Sequence, residues 1–312
     1  MILSAGLTPA WQQILVFDGF AAGEVNRARE ALWFASGKVL NAGIAAHHLG
    51  APSLTLSPLG GPAFDPISEE FERLGIPHRW VRTAAATRVC TTLIDRATAT
   101  TTELVENGRP LATAELESYL AAYAEVAARA TIAIITGSLP EGTPPSFYRA
   151  LVERTPCPAV LDFRGEGLLS VLDLEPLVVK PNRQELAKTV GGRPDNDAAL
   201  LAAMRNINAR GAQWVVVTQG AGDVWLTSQK EVYRFEPRPI PDLVNPIASG
   251  DAMAAAIAWA IAADKPMPDA VRLGMAAAAQ NARALLPCRL DPSTLGNAAA
   301  QIHTRPAPTP QV

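Results

Sequence analysis

Short apolar runs alternate with longer segments of helical period along this chain. Residues 1–7 read as a short buried strand, and the runs 14–17 and 31–34 as two more, joined by loops. From residue 37 to 50 the period turns helical, with Leu40, Ile44 and Leu49 on the apolar side and Gly50 as the stop. A strand at 53–59 and a helix at 68–74, ended by Gly75, follow. Residues 87–95 alternate, with Val89, Thr91 and Leu93 set against Arg88, Cys90 and Thr92, as a half-exposed strand does. Residues 101–105 pair with them across a turn at 96–100. The pattern then becomes regular: helix 115–129, strand 132–136, helix 145–154, strand 159–163, strand 177–180, helix 196–210, strands 214–218 and 224–227, an Ala-rich helix after Gly250, and a last helix at 268–285. Such alternation predicts an α/β fold with a mainly parallel central sheet covered on both faces. The strands near 10–35 and 87–106 break the alternation and predict a small separate β-sheet, a lid inserted in a single domain of residues 1–312. The tail at 305–312, with its three prolines, reads as a flexible, solvated end.

Composition narrows the class. With 312 residues, 48% of them hydrophobic and 18% charged, the chain buries a substantial core, which excludes disordered and collagen-like classes. Twenty-seven basic residues against 30 acidic ones give a net charge of −3, without the surplus a nucleic-acid binder needs. Cys90, Cys157 and Cys288 are odd in number and far apart, so a disulfide framework is not expected and the home is a reducing, cytoplasmic one. The histidines lack metal spacing, and the adjacent His47 and His48 point to different faces. The start of the chain has no basic segment leading an apolar one, so no signal peptide is expected. The apolar run 252–263 is short for a membrane span, which needs about 20 residues, and reads as a buried helix.

The chemistry gathers in small-residue turns. Asn245-Pro246-Ile247-Ala248-Ser249-Gly250-Asp251 runs straight into the Ala-rich helix. Small residues let a ligand approach the backbone, and the first N–H groups of the helix make an anion site. Asp251 there is either an N-cap or a general base beside a phosphate. Gly137-Ser138-Leu139-Pro140, Lys180-Pro181-Asn182-Arg183-Gln184-Glu185 and Thr218-Gln219-Gly220-Ala221-Gly222 each follow a strand, at the edge where open α/β sheets bind ligands. Together these turns suggest a nucleotide site.

Over nearly its whole length the chain resembles the ribokinase-like, or PfkB, carbohydrate kinases. The branch it resembles most is that of 1-phosphofructokinase, 6-phosphofructokinase and tagatose-6-phosphate kinase. The likeness rests on Leu7-Thr8-Pro9-Ala10, Gly23-Glu24-Val25-Asn26-Arg27, Gly37-Lys38 with Asn41, Thr87-Arg88, Gly137-Ser138-Leu139-Pro140, Val179-Lys180-Pro181-Asn182 with Glu185, and Ser249-Gly250-Asp251. It implies a ribokinase-like three-layer sandwich and ATP-dependent phosphorylation of a sugar hydroxyl, most readily that of a hexose phosphate. By the resemblance, Asp251 is the catalytic base, and Ala248, Ser249 and Gly250 form the anion hole around the transferring phosphoryl group. Asn182 and Glu185 hold Mg²⁺ through water, with Lys180 in the same turn. Thr218, Gly220 and Gly222 line the nucleotide. Gln12, Gly37, Lys38 and Asn41 face the sugar, and Arg88 and Ser138 meet the phosphate already on the substrate. The resemblance also admits a monovalent cation and a homodimer through the lid, and implies neither a nucleic-acid nor a membrane partner.

The chain departs from the family pattern at several places. Gln12 stands where an Asp is usual, Val39 and Asp223 where glycines are, with Gly222 one place early, and Ala248-Ser249 where Gly-Ala or Gly-Ser is commoner. Gln12 and Val39 bear on which sugar is taken. Two other readings compete. One is a non-catalytic sugar-phosphate or nucleotide binder on this fold, against which the retained Asp251 speaks. The other is a kinase of an unphosphorylated sugar or nucleoside, in which Arg88 and Lys38 would be idle cations.

Overall fold

The computed structural model describes residues 1–305. Its strands, in chain order, are β1 (Ile2–Ala5), β2 (Ala10–Phe17), β3 (Glu30–Ser36), β4 (Ser53–Gly60), β5 (His78–Thr83), β6 (Arg88–Asp95), β7 (Thr100–Val105), β8 (Ile132–Thr136), β9 (Ala159–Asp162), β10 (Val178–Val179), β11 (Trp214–Val217), β12 (Val224–Thr227), β13 (Val232–Glu236) and β14 (His303–Arg305). The α-helices are α1 (Lys38–His48), α2 (Phe64–Arg73), α3 (Thr113–Ala127), α4 (Ser146–Val152), α5 (Glu166–Leu169), α6 (Arg183–Val190), α7 (Asp197–Ala209), α8 (Ser249–Ala262), α9 (Met267–Ala282) and α10 (Pro292–Ala300).

A ten-stranded sheet runs in the order β14-β13-β12-β11-β10-β9-β8-β1-β4-β5. Every neighbouring pair from β11 to β5 is parallel, while β12, β13 and β14 form an antiparallel edge. The parallel strands are apolar on both faces because both faces are covered. Ile2, Ile132, Ile134, Val160, Val178 and Val216 pack with α1, α2, α8, α9 and α10. Their alternates Leu3, Ala133, Ile135, Leu161, Val179, Val215 and Val217 pack with Tyr119 and Tyr123 of α3 and Leu200 and Met204 of α7. This is the three-layer arrangement expected.

A second sheet, β3-β2-β6-β7, is the lid. Here β2 is parallel to β6 and antiparallel to β3, and β6–β7 is a hairpin. Alternation along β2 sends Ile14 and Val16 inward to join Phe34 and Ile94 over Leu285 and Leu286. On the outer face Trp33 stacks on Trp11 at 5.9 Å and remains 46% exposed.

Several elements differ from the pattern reading. The strand β5 escapes notice because His78-Arg79-Trp80-Val81-Arg82-Thr83 lies at the sheet edge and needs little apolar surface. β13, paired with β12 and β14, escapes because Arg234 breaks the run of Val232, Tyr233 and Phe235. Helix α2 starts at Phe64 rather than 68, with Asp65 and Pro66 in its first turn, where both are tolerated. Helix α6 sits behind a capping box rather than a long periodic stripe. The helix expected at 268–285 ends at Ala282 and is not the last. Helix α10 follows, and it buries only Leu295 and Ala299. Arg305, read as part of the tail, lies in β14, and residues 306–312 fall outside the described residues. Cys90, Cys157 and Cys288 are all unpaired. Among the described residues no helix is long and apolar enough to cross a membrane.

Candidate active site

Parallel strands all present their carboxyl ends on one side of the sheet, so the turns that follow β8, β9, β10 and β11 meet there. The N-termini of α1, α6 and α8 enter the same crevice through their side chains. Lys38, at the start of α1, reaches across to Asp162 Oδ1 (3.3 Å) and Glu185 Oε1 (3.1 Å). Lys180 also meets Asp162 Oδ1, at 3.4 Å. Asn41, one turn into α1, donates from Nδ2 to Asp251 Oδ2 at 2.8 Å. Its own Oδ1 accepts from the Ser36 hydroxyl at the end of β3 (3.2 Å), which ties the lid to the Asp251 carboxylate. Gly37 caps α1 at φ 88°, where a Cβ would lie 2.7 Å from Thr8 O, so a side chain there has neither the conformation nor the room.

Charges set the protonation states. Asp251 is buried, and burial pushes its carboxyl up to about 7, with Asp162 adding to the rise and Lys38, Asn41 and Lys180 opposing it. Burial would raise Asp162 too, but Lys180 and Lys38 outweigh it and hold that carboxyl below its usual range. For Lys38, burial favours the neutral amine, yet Asp162, Glu185 and Asp251 prevail and keep the ammonium charged. One carboxyl is thus poised near neutrality beside another that stays ionised. That divergence is what acid–base work at neutral pH needs.

The turn expected to bind an anion leads into α8 through a left-handed residue. Ala248 precedes α8 in a left-handed conformation, φ 62°, ψ 8°. That is the reason glycine is commoner at such a place, since an L-residue there costs about 1–2 kcal/mol. The turn aims the start of α8 into the crevice, and a Cβ on Gly250 would lie 3.5 Å from Lys180 Nζ. The Ser249 N–H is donated to Pro246 O (3.3 Å) and the Asp251 N–H to Ala248 O (3.0 Å), so among the described residues the Gly250 N–H between them is the one at the start of α8 without a backbone partner, and the Lys180 ammonium lies beside it.

The turns expected to line a nucleotide are also bonded to one another. Asn182 and Thr218 form an isolated bridge, and Arg183 N donates to Thr218 O at 2.9 Å. Gly220, at φ 63°, and Gly222 belong to the turn that Arg183 holds through Gln219 Oε1 at 2.8 Å. Asn182 caps α6: its Oδ1 accepts from Glu185 N (2.8 Å) while Glu185 Oε2 accepts from Asn182 N (2.9 Å). Asp223 lies turned toward β13, bonded to Arg234 Nε at 2.5 Å, so it does not take the place of a ligand-facing glycine.

At the lid hinge the Thr8 hydroxyl donates to Ser138 O (3.0 Å) and lies 3.2 Å from Ser138 Oγ. Arg88 donates to Thr8 O (3.1 Å), Pro9 O (3.3 Å) and Glu106 O (3.1 Å). Gln12, buried in the lid, donates from Nε2 to Thr92 Oγ1 at 2.8 Å.

Some expectations about these residues change. Lys38 would not be an idle cation without a substrate phosphate, because it is already paired with carboxylates. Val39, expected to bear on the sugar, has its side chain in the core, 3.0 Å from where a Gly6 Cβ would stand. Asp162 escaped the sequence reading. Its signal was a carboxylate closing the apolar run Ala159-Val160-Leu161. Ser36 and Thr92 escaped because only the fold brings them to Asn41 and Gln12.

The family described as pfkB family carbohydrate kinase matches residues 3–289. The chain belongs to the pfkB family. It is accordingly an ATP-dependent carbohydrate kinase. This pfkB kinase is similar in structure to phosphofructokinase-2 from Escherichia coli, solved in complex with potassium: TM-score 0.86, 21% identity, 96% of this chain and 97% of that one. It is also similar to a protein from Thermotoga maritima described as a possible 1-phosphofructokinase: TM-score 0.85, 19% identity, 97% of this chain and 98% of that one. The Arabidopsis thaliana ribokinase with ribose and ATP gives a TM-score of 0.71 at 17% identity, over 96% of this chain and 98% of that one. The pfkB kinase thus has the ribokinase-like fold.

Proposed function

We propose that this kinase transfers the γ-phosphoryl group of ATP to a hydroxyl of a phosphorylated sugar, with Asp251 as the base. The observation that carries the reading is the buried Asp251 carboxyl, held by Asn41 at one oxygen and poised at about 7, at the N-terminus of a helix entered through a left-handed turn. Oδ2 is committed to Asn41, which leaves Oδ1 to accept the hydroxyl proton as the oxygen attacks phosphorus. The Gly250 N–H, which has no backbone acceptor, and the Lys180 ammonium beside it stabilise the charge on the transferring group. A pure binding protein has no use for a carboxyl poised in this way.

Mg²⁺ suits the donors present. It keeps several waters and takes one or two carboxylates plus substrate phosphates rather than an all-protein cage. Glu185 and Asp162 present such carboxylates, met by Lys38, Lys180 and, 3.8 Å from Glu185, Arg164. When bound, the ion neutralises charge on the phosphates. Glu185 would hold it, with Asn182 fixing Glu185 through the capping box.

The phosphorylated substrate is supported by Arg88 and Ser138, which meet beside Thr8 at the lid hinge. The exposed Trp33 on the outer lid face supports a homodimer through the lid, and the absence of a disulfide framework supports a cytoplasmic home. The test is ADP release with a panel of sugar phosphates, free sugars and nucleosides. Turnover confined to phosphorylated sugars, and abolished in Asp251→Asn, is expected. ATP binding without turnover on any acceptor would favour the binding protein instead.

A further inference from the structure

Side-chain amides staple the loop before α8 to the end of α9. Asn281, in the last turn of α9, is 1% exposed. Its Nδ2 donates to Ile247 O at 2.8 Å and to Ser249 Oγ at 3.0 Å. Its Oδ1 accepts from the Cys288 backbone N–H at 2.7 Å. Chemistry fixes the orientation of this amide, because a backbone N–H faces only Oδ1 and a carbonyl faces only Nδ2. Asn245 makes a second staple. Its Nδ2 donates to Leu285 O (3.0 Å), its Oδ1 accepts from Ile247 N (3.1 Å), and its own N–H donates to Ala282 O (3.0 Å). Cys288 Sγ lies 3.8 Å from Ala248 O, closing the group.

Backbone carbonyls gathered round one point are what a monovalent cation binds, since they replace its hydration shell. The resemblance admits such an ion, and one structural neighbour holds potassium. In this chain the donor set does not fit it. Ile247 O is met by the Asn281 amide, Leu285 O by that of Asn245, and Ala282 O by two backbone N–H groups. Each of these carbonyls thus already accepts at least one N–H, and the NH₂ protons of Asn245 and Asn281 would repel a cation brought to Leu285 O or Ile247 O.

We propose that Asn281 is a positioning residue that takes the structural place of a monovalent cation, so that this kinase works without one. The inference rests on the reading of residues 248–251 as the anion hole. By holding Ile247 O and Ser249 Oγ from a rigid helix end, Asn281 fixes both sides of the left-handed Ala248. An ion is not needed to hold a turn that is already held. Neither Asn281 nor Asn245 touches the reacting atoms in this account.

The experiment compares KCl, NaCl and choline chloride at equal ionic strength, reading both turnover and thermal melting. The wild-type protein is expected to show the same kcat and Tm in all three salts. Asn281→Ala is expected to lose about tenfold to a hundredfold in kcat with little change in KM for ATP, the scale of a misplaced catalytic group. KCl, but not choline chloride, should restore part of that loss and raise the variant's Tm, because an opened carbonyl site now stabilises by binding. Asn281→Asp keeps the acceptor for Cys288 N–H but removes the donor. It should respond to KCl in the same direction, and it serves if the Ala variant does not fold. A potassium-specific rise in wild-type kcat or Tm, or an unchanged kcat in Asn281→Ala, overturns the inference. Absence of wild-type turnover in every salt would count against the kinase reading alone. The melting comparison would still decide this one.

Discussion

At the scale of single residues the protonation of Asp251 decides most. A base must be ionised, so kcat/KM should rise with pH through about 7 and level off above it. Asp251→Asn should lose that limb together with several orders of magnitude in turnover, measured as ADP release across the pH range. Stability runs the other way. The folded carboxyl binds its proton more tightly than its ordinary value of 3.8 allows, so its contribution is fully present below that pH and is lost as pH rises through about 7. Asp251→Asn should therefore melt above wild type in alkaline buffer, with the gap closing toward acid. Arg88 offers a sharper discrimination than its charge alone, since its guanidinium also binds three backbone carbonyls at the hinge. Arg88→Ala should raise KM for the sugar phosphate by about tenfold to a hundredfold, as the loss of a charge-assisted contact of about 1.5–3 kcal/mol predicts. Arg88→Lys keeps the charge without the fork, so it should recover part of that KM if a phosphate is bound there. Equal damage from both variants would leave Arg88 a hinge clamp only. For Gln12, one NH₂ donor is spent on Thr92, and no carboxylate is present to grip two sugar hydroxyls. Low kcat/KM on fructose 6-phosphate, fructose 1-phosphate and tagatose 6-phosphate is expected, with a gain on at least one of them in Gln12→Asp. Since Val39 is packed in the core, the single substitution is the fair test.

At the scale of elements, α6 begins at a capping box whose second role can be tested. Asn182 is the N-cap, and replacing such a cap by Ala costs about 1 kcal/mol. Asn182→Ala should lose that much in urea unfolding, whereas Asn182→Ser keeps a capping oxygen and should lose little. If the Asn182–Glu185 pair also serves Mg²⁺, both variants need more Mg²⁺ for half-maximal ADP release. A normal Mg²⁺ response in Asn182→Ser would reduce the pair to a cap. The same helix illustrates what patterning misses. Its short, polar sequence carries no stripe to see, while Asn182 followed three residues on by Glu185 is a start signal in its own right. Strands β8 and β12 were legible to the residue because they are unbroken buried runs. The edge strand β5 was not, because a strand partnered on one side needs few apolar positions, and β13 was not because Arg234 interrupts its apolar residues.

At the scale of the molecule, the lid is a sheet with one face on the body and one face outward. Trp33 and Leu104 are 46% and 53% exposed on β3 and β7, more apolar surface than a lone lid requires. Sedimentation should show a dimer, and Trp33→Glu should shift it to monomer. A monomeric wild type at all concentrations would leave that face without a second copy. Composition and alternation determined by themselves that the chain is a two-sided parallel α/β body with a small extra sheet, because buried strands and covered faces impose their periods locally. The small-residue turns, the order of motifs and the Asp after Gly250 were legible for the same reason: each is a local device. Tertiary structure alone decided that Lys38 pairs with Asp162 and Glu185, that Ser36 and Asn41 hold Asp251, and that Asn281 bonds Ile247 O and Ser249 Oγ on either side of Ala248. Those contacts join residues up to 210 positions apart, as Asn41 and Asp251 are. Burial and proximity, which shift a carboxyl toward neutrality or set an amide against a carbonyl, exist only once the strands have brought such distant residues together.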